Sequence, residues 1–207
     1  MHLKHFSPDH TDVAIIYTHL GDIHLRLGYI EQAKKNQERA LAILLNRLGP
    51  DHIDVTTAYS QLGVIHLRLG DIEQAKEYQE LALVIWRFRL GPDHTDVATA
   101  YSQLSVIHLR LGDIKQAKEY QERALAIWLN RLGPYHTDVA NAYSQLGVIH
   151  LRLDDIKRAK EYQERALAIW LNRLGPDHPD VATIYCQLGD THLRLGCLLY
   201  TSPSPRD

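Results

Sequence analysis

Between residues 95 and 111 the chain places Val97, Tyr101, Leu104, His108 and Leu111 at steps of four, three, four and three, which is one face of an α-helix. The spacing predicts a helix over Thr95–Leu111, with Asp96 in its first turn, where a carboxylate favours the positive end of the helix dipole. Gly112 and Asp113 close this helix and open the next, with Asp113 as N-cap and Gln116 three residues on, as in a capping box. A second helix is predicted over Ile114–Leu132. Its apolar face is Ala117, Tyr120, Ala124, Ile127 and Trp128, while Lys115, Lys118, Glu119 and Glu122 face water. Gly133 followed by Pro134 stops it. The pattern is an αα-hairpin.

That hairpin recurs. Cutting before the proline of each GPDH-like phrase gives blocks 8–49, 50–91, 92–133 and 134–175, each 42 residues without a gap, and a half block, 176–196. Blocks three and four differ only at Asp93/Tyr135, Thr99/Asn141, Ser105/Gly147, Gly112/Asp154 and Gln116/Arg158. The fifth block puts Pro179 at the first helical position, which suits it. A fixed period of this size means stacked supersecondary units. Residues 3–7 (LKHFS) align with 45–49 (LNRLG), so 1–7 reads as the remnant of a preceding repeat and the array is expected to begin before Met1.

Propeller blades need alternating strands, which are not seen; HEAT-type helix pairs fit the length. Internal spacing separates the remaining candidates. Block two carries Tyr59, Leu62, Gly63, His66, Ala75 and Ala82, and block one carries Tyr17, Leu20, Gly21, His24, Ala33 and Ala40. Block four repeats this with Tyr143, Leu146, Gly147, His150, Ala159 and Ala166. This is the aromatic-x2-Leu-Gly-x2-Tyr, Ala, Ala spacing of the tetratricopeptide repeat. Small residues there let helices approach closely, so enlarging Ala75 is expected to overpack the seam by ~1–3 kcal/mol. With its LGPDHPDVA junction (174–182), the stretch 8–196 resembles the long tetratricopeptide repeats of kinesin light chains and nephrocystin-3-like proteins. The resemblance implies an all-α solenoid of αα-hairpins, a right-handed superhelix of four full repeats and one half repeat, with first helices lining a concave groove. Departures are the histidines in the Tyr place, Gln79, Gln121 and Gln163 where a second aromatic is expected, with Tyr78, Tyr120 and Tyr162 one residue early, and Ser105 and Asp154 in place of glycines. The family's Asn-Asn pair is replaced by Ser60–Gln61 and its equivalents.

Charge narrows the partners. Lys and Arg total 23 against 25 Asp and Glu, a net charge of −2, so there is no electrostatic footprint for nucleic acid or an anionic membrane. No apolar run approaches the ~20 residues that span a bilayer, and MHLKHFSPDH lacks the h-region of a signal peptide. With Cys186 and Cys197 the only cysteines, a reducing compartment is expected, and cytoplasmic is the reading. Residues 197–207 (CLLYTSPSPRD) break with everything before them: they resemble a translated sequencing-library adapter, the alternative being a Ser/Pro-rich disordered tail.

Thirteen histidines raise the question of metal. Ten fall in two columns, His10, His52, His94, His136 and His178, and His24, His66, His108, His150 and His192. Members of one column sit on different repeats, whose packed helix axes are ~8–10 Å apart, whereas zinc needs nitrogens ~2.0–2.1 Å from one ion. No metal and no cofactor is expected. The first column is placed to cap helix N-termini. The second lies on the apolar seam, where burial disfavours the charged form and leaves room for a weak pH response.

The face of the first helix turned away from the seam carries Thr99, Ser102, Gln103, Val106 and Arg110, with Thr57, Ser60, Gln61, Val64 and Arg68 in block two and Asn141, Ser144, Gln145, Val148 and Arg152 in block four. Arg26 and Arg194 complete a column of five arginines. The expected peptide-binding groove is therefore Arg26, Gln61, Arg68, Gln103, Arg110, Gln145, Arg152 and Arg194. Arginine grips carboxylates bidentately and glutamine bonds a peptide backbone, which suits an extended, acidic segment of a protein partner. The competing reading pairs these arginines with local acids such as Asp71 and Asp113. The tetratricopeptide mode that clamps a C-terminal double carboxylate with Lys and Asn is disfavoured, because Thr, Ser and Val stand there. Function is read as a non-enzymatic protein-interaction scaffold of the cargo- or adaptor-binding kind; the alternative is a repeat module of a larger signalling protein acting in positioning or self-association. G-x-S-x-G, the P-loop and H-E-x-x-H are all absent, and Cys186 has no obvious base beside it. No small-molecule substrate is expected.

Overall fold

The computed structural model describes residues 10–201, with side chains through residue 196. Those residues form nine helices: α1 (Thr11–Arg26), α2 (Ile30–Leu48), α3 (Ile53–Leu69), α4 (Ile72–Leu90), α5 (Thr95–Leu111), α6 (Ile114–Leu132), α7 (Thr137–Arg152), α8 (Ile156–Leu174) and α9 (Pro179–Thr201). Both helices expected of the third block have the predicted limits. The remnant at 1–7 lies outside the described residues. So do 202–207, whereas α9 runs on to Thr201 across the first five residues of the divergent tail.

The described residues divide into two compact units, one ending at Leu111 and the other beginning at Gly112. In the first, α1 packs on α2 and α3 on α4, while α2 meets α3 and α4 meets α5. In the second, α6 meets α7, α7 packs on α8, and α8 meets α9. Second helices α2, α4 and α8 thus each serve two neighbours, their own first helix and the next one. This requires small residues on two sides. Ala33, Ala40, Ala75 and Ala82 in the first unit, and Ala117, Ala124, Ala159 and Ala166 in the second, are completely buried. Leu62 and Ile65 of α3 are sealed at 0% and 2% exposure, each worth ~1.5–3 kcal/mol of apolar burial. Their counterparts Leu20 and Ile23 on α1, which have no described hairpin before them, stay 38% and 52% exposed.

Helix ends follow from local chemistry. His52 Nδ1 accepts from the Asp54 N–H at 3.2 Å, and the same 3.2 Å contact recurs at His10, His94, His136 and His178. Imidazole does the work that Ser or Asp usually does, satisfying a first-turn donor that has no partner inside the helix. Second helices are capped by aspartate: Asp113 Oδ1 accepts from Gln116 N at 3.2 Å, and Asp155 does the same for Arg158 N. Between the helices of a hairpin, Gly28 and Gly70 take φ of +82° and +85°, the left-handed conformation that lets the chain reverse. Asp154 stands at the equivalent place with φ +60°, the one non-glycine residue at positive φ among those described. Arg89 Nε donates to the Asp51 carbonyl at 3.1 Å, and Arg173 Nε to the Tyr135 carbonyl at 2.9 Å, tying the end of a second helix to the turn that precedes its own first helix.

A candidate peptide-binding face on the first helices

Within each unit the first helices stand side by side with direct polar bridges. In the first unit Gln61 Nε2 of α3 donates to Asp22 Oδ1 of α1 at 3.4 Å, and Arg110 Nη1 of α5 donates to the Leu67 carbonyl of α3 at 3.4 Å. In the second, the Ser144 hydroxyl of α7 donates to Gln187 Oε1 of α9 at 3.3 Å. Each unit therefore presents a wall of first helices.

The arginine column stands on that wall with its side chains exposed: Arg26, Arg68 and Arg110 in the first unit, Arg152 and Arg194 in the second. Arg26, Arg68, Arg152 and Arg194 have no ion-pair or hydrogen-bond partner among the described residues. The acid nearest in sequence to Arg68 is otherwise occupied. Asp71 Oδ2 accepts from His66 Nδ1 at 3.1 Å, and Asp71 Oδ1 caps α4 through the Gln74 N–H at 3.4 Å.

The glutamines behave differently. Gln61, Gln103 and Gln145 are half-buried, and both ends of the Gln61 amide are engaged, since Oε1 accepts from Gln37 Nε2 at 2.6 Å while Nε2 reaches Asp22. The serines placed on this face by periodicity sit deeper. Ser60 and Ser102 are 8% and 7% exposed, and the Ser60 hydroxyl donates to Gln79 Oε1 at 3.3 Å inside its own hairpin. Against the wall of the first unit, Thr11, Ile15, Thr18, Leu44, Thr57 and Gln61 help enclose a mostly apolar cavity of about 190 Å³. It lies beside the N-terminal half of α3, while Arg68 marks the opposite end of that helix.

The histidine seam is structural in character. His66 and His150 are 5% and 2% exposed and lie tilted on Tyr78 and Tyr162, with ring centroids 5.4 and 5.2 Å apart. The early tyrosines also stack on the first-helix tyrosines, Tyr59 on Tyr78 and Tyr143 on Tyr162. Burial pushes the His150 imidazole below its ordinary value of 6.5, against the opposing pull of the Asp155 carboxylate at 3.4 Å. In the first repeat the partners exchange: Tyr29 replaces the capping Asp and leaves α2 without a side-chain cap, while Asn36 replaces the Tyr and donates to His24 Nδ1 at 2.8 Å. No group of three or more His, Cys, Asp or Glu among the described residues is placed to hold a metal ion, and no helix there is long and apolar enough to cross a membrane.

Sequence reasoning missed the glutamine column. Gln37, Gln79, Gln121 and Gln163 are buried to 1% exposure or less, the deepest polar side chains of the second helices. Gln79 Nε2 donates to the Ser60 carbonyl at 2.8 Å, and Gln163 Oε1 accepts from the Thr191 hydroxyl at 2.8 Å. The signal was present in the glycines opposite: a Cβ on Gly63 would stand 2.8 Å from Gln79 Nε2, and one on Gly147 2.8 Å from Gln163 Cγ.

A family model for the tetratricopeptide repeat matches four overlapping spans, 12–83, 54–130, 96–171 and 138–196. Among solved structures, BtubC (BKLC) from P. vanneervenii is similar at 26% identity and a TM-score of 0.76, covering 95% of this chain and 85% of that one. A Podosopora anserina protein named for kinesin light chain and its nearly identical TPR-like repeats matches at 20% identity and a TM-score of 0.74, over 90% of this chain and 89% of its own. The apo form of RapI shares the fold at 15% identity and a TM-score of 0.73, over 88% of this chain and 64% of that one. No curated protein matches the sequence significantly. The chain belongs to the tetratricopeptide repeat family, as an all-α array of αα-hairpins.

Proposed function

We propose that this protein-interaction scaffold binds extended, acidic peptide segments of a partner protein along the first-helix face of each unit, with Arg26, Arg68 and Arg110 in the first and Arg152 and Arg194 in the second as the cationic contacts. The observation that carries this is the set of exposed guanidinium groups, four of them without any ion-pair or hydrogen-bond partner among the described residues. The planar guanidinium fork is pre-organised, so it loses less freedom per hydrogen bond than a flexible ammonium does, and it can bind a carboxylate through two parallel hydrogen bonds. Gln61, Gln103 and Gln145 line the same face, and the Gln61 amide acts chiefly by fixing α3 against α1. The cavity beside Ile15 and Thr57 suits one apolar or aromatic side chain of the peptide. Cargo or adaptor recognition is the matching role, in the cytoplasm, with a protein ligand and no chemistry performed on it.

Selection of binders from a peptide library enriched in acidic and aromatic residues tests this directly. Selected peptides should be acidic, and Arg26→Gln, Arg68→Gln and Arg110→Gln together should abolish their binding, with only a small drop in melting temperature from the lost helix-end charges and the lost Arg110–Leu67 bond. Affinity should fall with added salt, since exposed charges are screened within ~8–10 Å at physiological ionic strength. Equal affinity in the triple variant sinks the proposal.

A further inference from the structure

The repeats are near copies, so the places where one departs from the other three carry information. Blocks two and three differ at eight positions, and four of them, Leu81, Val84, Arg87 and Phe88, crowd into the last three turns of α4. The other full repeats have Arg, Ala, Leu and Asn at those places: Arg39, Ala42, Leu45 and Asn46 in the first, and likewise in the third and fourth. Three polar or small residues have become large and apolar, and one apolar residue has become cationic.

The three apolar replacements all face solvent. Leu81, Val84 and Phe88 are 41%, 65% and 81% exposed. At about 100° per residue they fall within about 60° of arc, one continuous stripe along the outer side of α4. The core side of the same helix is already filled by Ala82, Ile85 and Trp86, and the ring contact made by the stripe is with a neighbouring surface side chain, the Arg89 guanidinium 5.8 Å from the Phe88 ring centroid. Scattered exposed apolar residues are ordinary; an aligned set present in only one of four copies marks an interaction surface.

The charges beside the stripe indicate what covers it. Glu80 and Arg87 lie on the same flank, seven residues or two turns apart, one toward each end of the stripe. When two identical helices pair antiparallel about a two-fold axis, like flanks meet and the order of residues reverses. Glu80 of either chain then comes opposite Arg87 of the other, Leu81 comes opposite Phe88, and Val84 lies at the axis. Arg87 has no partner among the described residues, and Glu80 keeps only an exposed 3.9 Å contact with Lys76. The surface is complementary to itself. We propose that the chain dimerises through α4, antiparallel to α4 of a second copy, with Leu81, Val84 and Phe88 in the seam and Glu80–Arg87 pairs at both ends. The surface is independent of the first-helix face, so this pairing stands or falls separately from peptide binding. A seam one helix wide makes the dimer weak and reversible.

Sedimentation equilibrium of the full chain, from micromolar to millimolar concentration, tests it. The expected result is a concentration-dependent shift from monomer to dimer mass. Leu81→Arg, Val84→Ala and Phe88→Asn together should abolish that shift; each restores the residue borne by the other three repeats, so the fold is retained. In those repeats the arginine has its own place, over Tyr17 for Arg39 and over Tyr143 and Tyr162 for Arg165. Glu80→Arg or Arg87→Glu alone should weaken dimerisation at least tenfold, and the two together should restore it. Val84→Cys, in a chain with Cys186 and Cys197 replaced by serine, should oxidise to a covalent dimer, whereas Gln74→Cys should not. A monomer at every concentration overturns the proposal. So does a dimer unaffected by the triple substitution, which would place the contact elsewhere, for instance on the exposed apolar side of α1.

Discussion

Replacing Asp154 by glycine should stabilise the protein by about 1 kcal/mol, and the sum can be made from the turn itself. Asp154 has φ +60° where the matching residues of the earlier repeats are Gly28, Gly70 and Gly112 at +82°, +85° and +81°. A side chain in the left-handed region costs ~1–2 kcal/mol, with Asp near the low end because its short polar group is tolerated there. Asp154 also puts an exposed negative charge at the C-terminal end of α7, where the helix dipole is itself negative, worth ~0.3 kcal/mol or somewhat more. Against these stands the extra freedom glycine gives the unfolded chain, ~0.4–1 kcal/mol. The bend does not change with the residue: Asp155 N donates to the His150 carbonyl at 2.9 Å, as Asp71 N does to that of His66 at 3.0 Å. Glycine therefore relieves strain without altering the hydrogen bonds. Urea unfolding should show a higher midpoint at an unchanged slope. Asp154→Asn separates the terms, because it removes the charge but keeps the conformational cost, and should recover only a minor part of the gain. A glycine variant no more stable than the wild type, or an asparagine variant equal to it, would refute the reasoning.

Other outcomes follow from the same contacts. Gly63→Ala should destabilise by ~1–3 kcal/mol, read from the urea midpoint, because its Cβ would meet three Gln79 atoms at 2.8–3.1 Å and displace an amide bonded to the Ser60 carbonyl. For His150, burial lowers the folded-state pKa below the 6.5 of the unfolded chain, so the unfolded state binds more protons in acid. Its contribution to stability is complete above that value and is lost as pH falls through it. The loss between neutral pH and about pH 5 should be smaller in His150→Gln, measured by denaturation at each pH; an identical loss would remove His150 as its source.

Much of this fold was legible in the sequence because its punctuation is chemical. Gly-Pro stops the second helices, Asp starts them, and the imidazole of the first column starts the first helices, so the limits of α5 and α6 fall where the pattern put them. The lateral sorting of α3 was harder. A single periodicity identifies one buried face, but α3 is flanked by α2 on one side and α4 on the other. Ser60, read as groove-facing, is drawn into the second of these seams by Gln79. Gln79 itself looked like a lapse from an aromatic position, yet it occupies the space that glycine leaves at Gly63. Small residues announce that something approaches closely, without saying what. The guanidinium column was visible from spacing alone, and its freedom from Asp71 depended on a His66 contact that no helical repeat distance encodes.

The altered first hairpin bears on how such a chain can change. His66 Nδ1 donates a hydrogen bond to a carboxylate, whereas His24 Nδ1 accepts one from an amide N–H, so the two rings hold opposite tautomers at the same place in the repeat. Moving between these arrangements means exchanging residues 29 and 36 together, since either exchange alone leaves a sheltered ring facing a group of the wrong kind. Near-identical segments recombine readily, but a crossover falling between those two positions would splice donor to donor or leave the ring facing only tyrosine. The smallest stretch that can be traded cleanly between copies is then the whole turn with the start of its second helix, and chimeras designed from these repeats should be cut outside it.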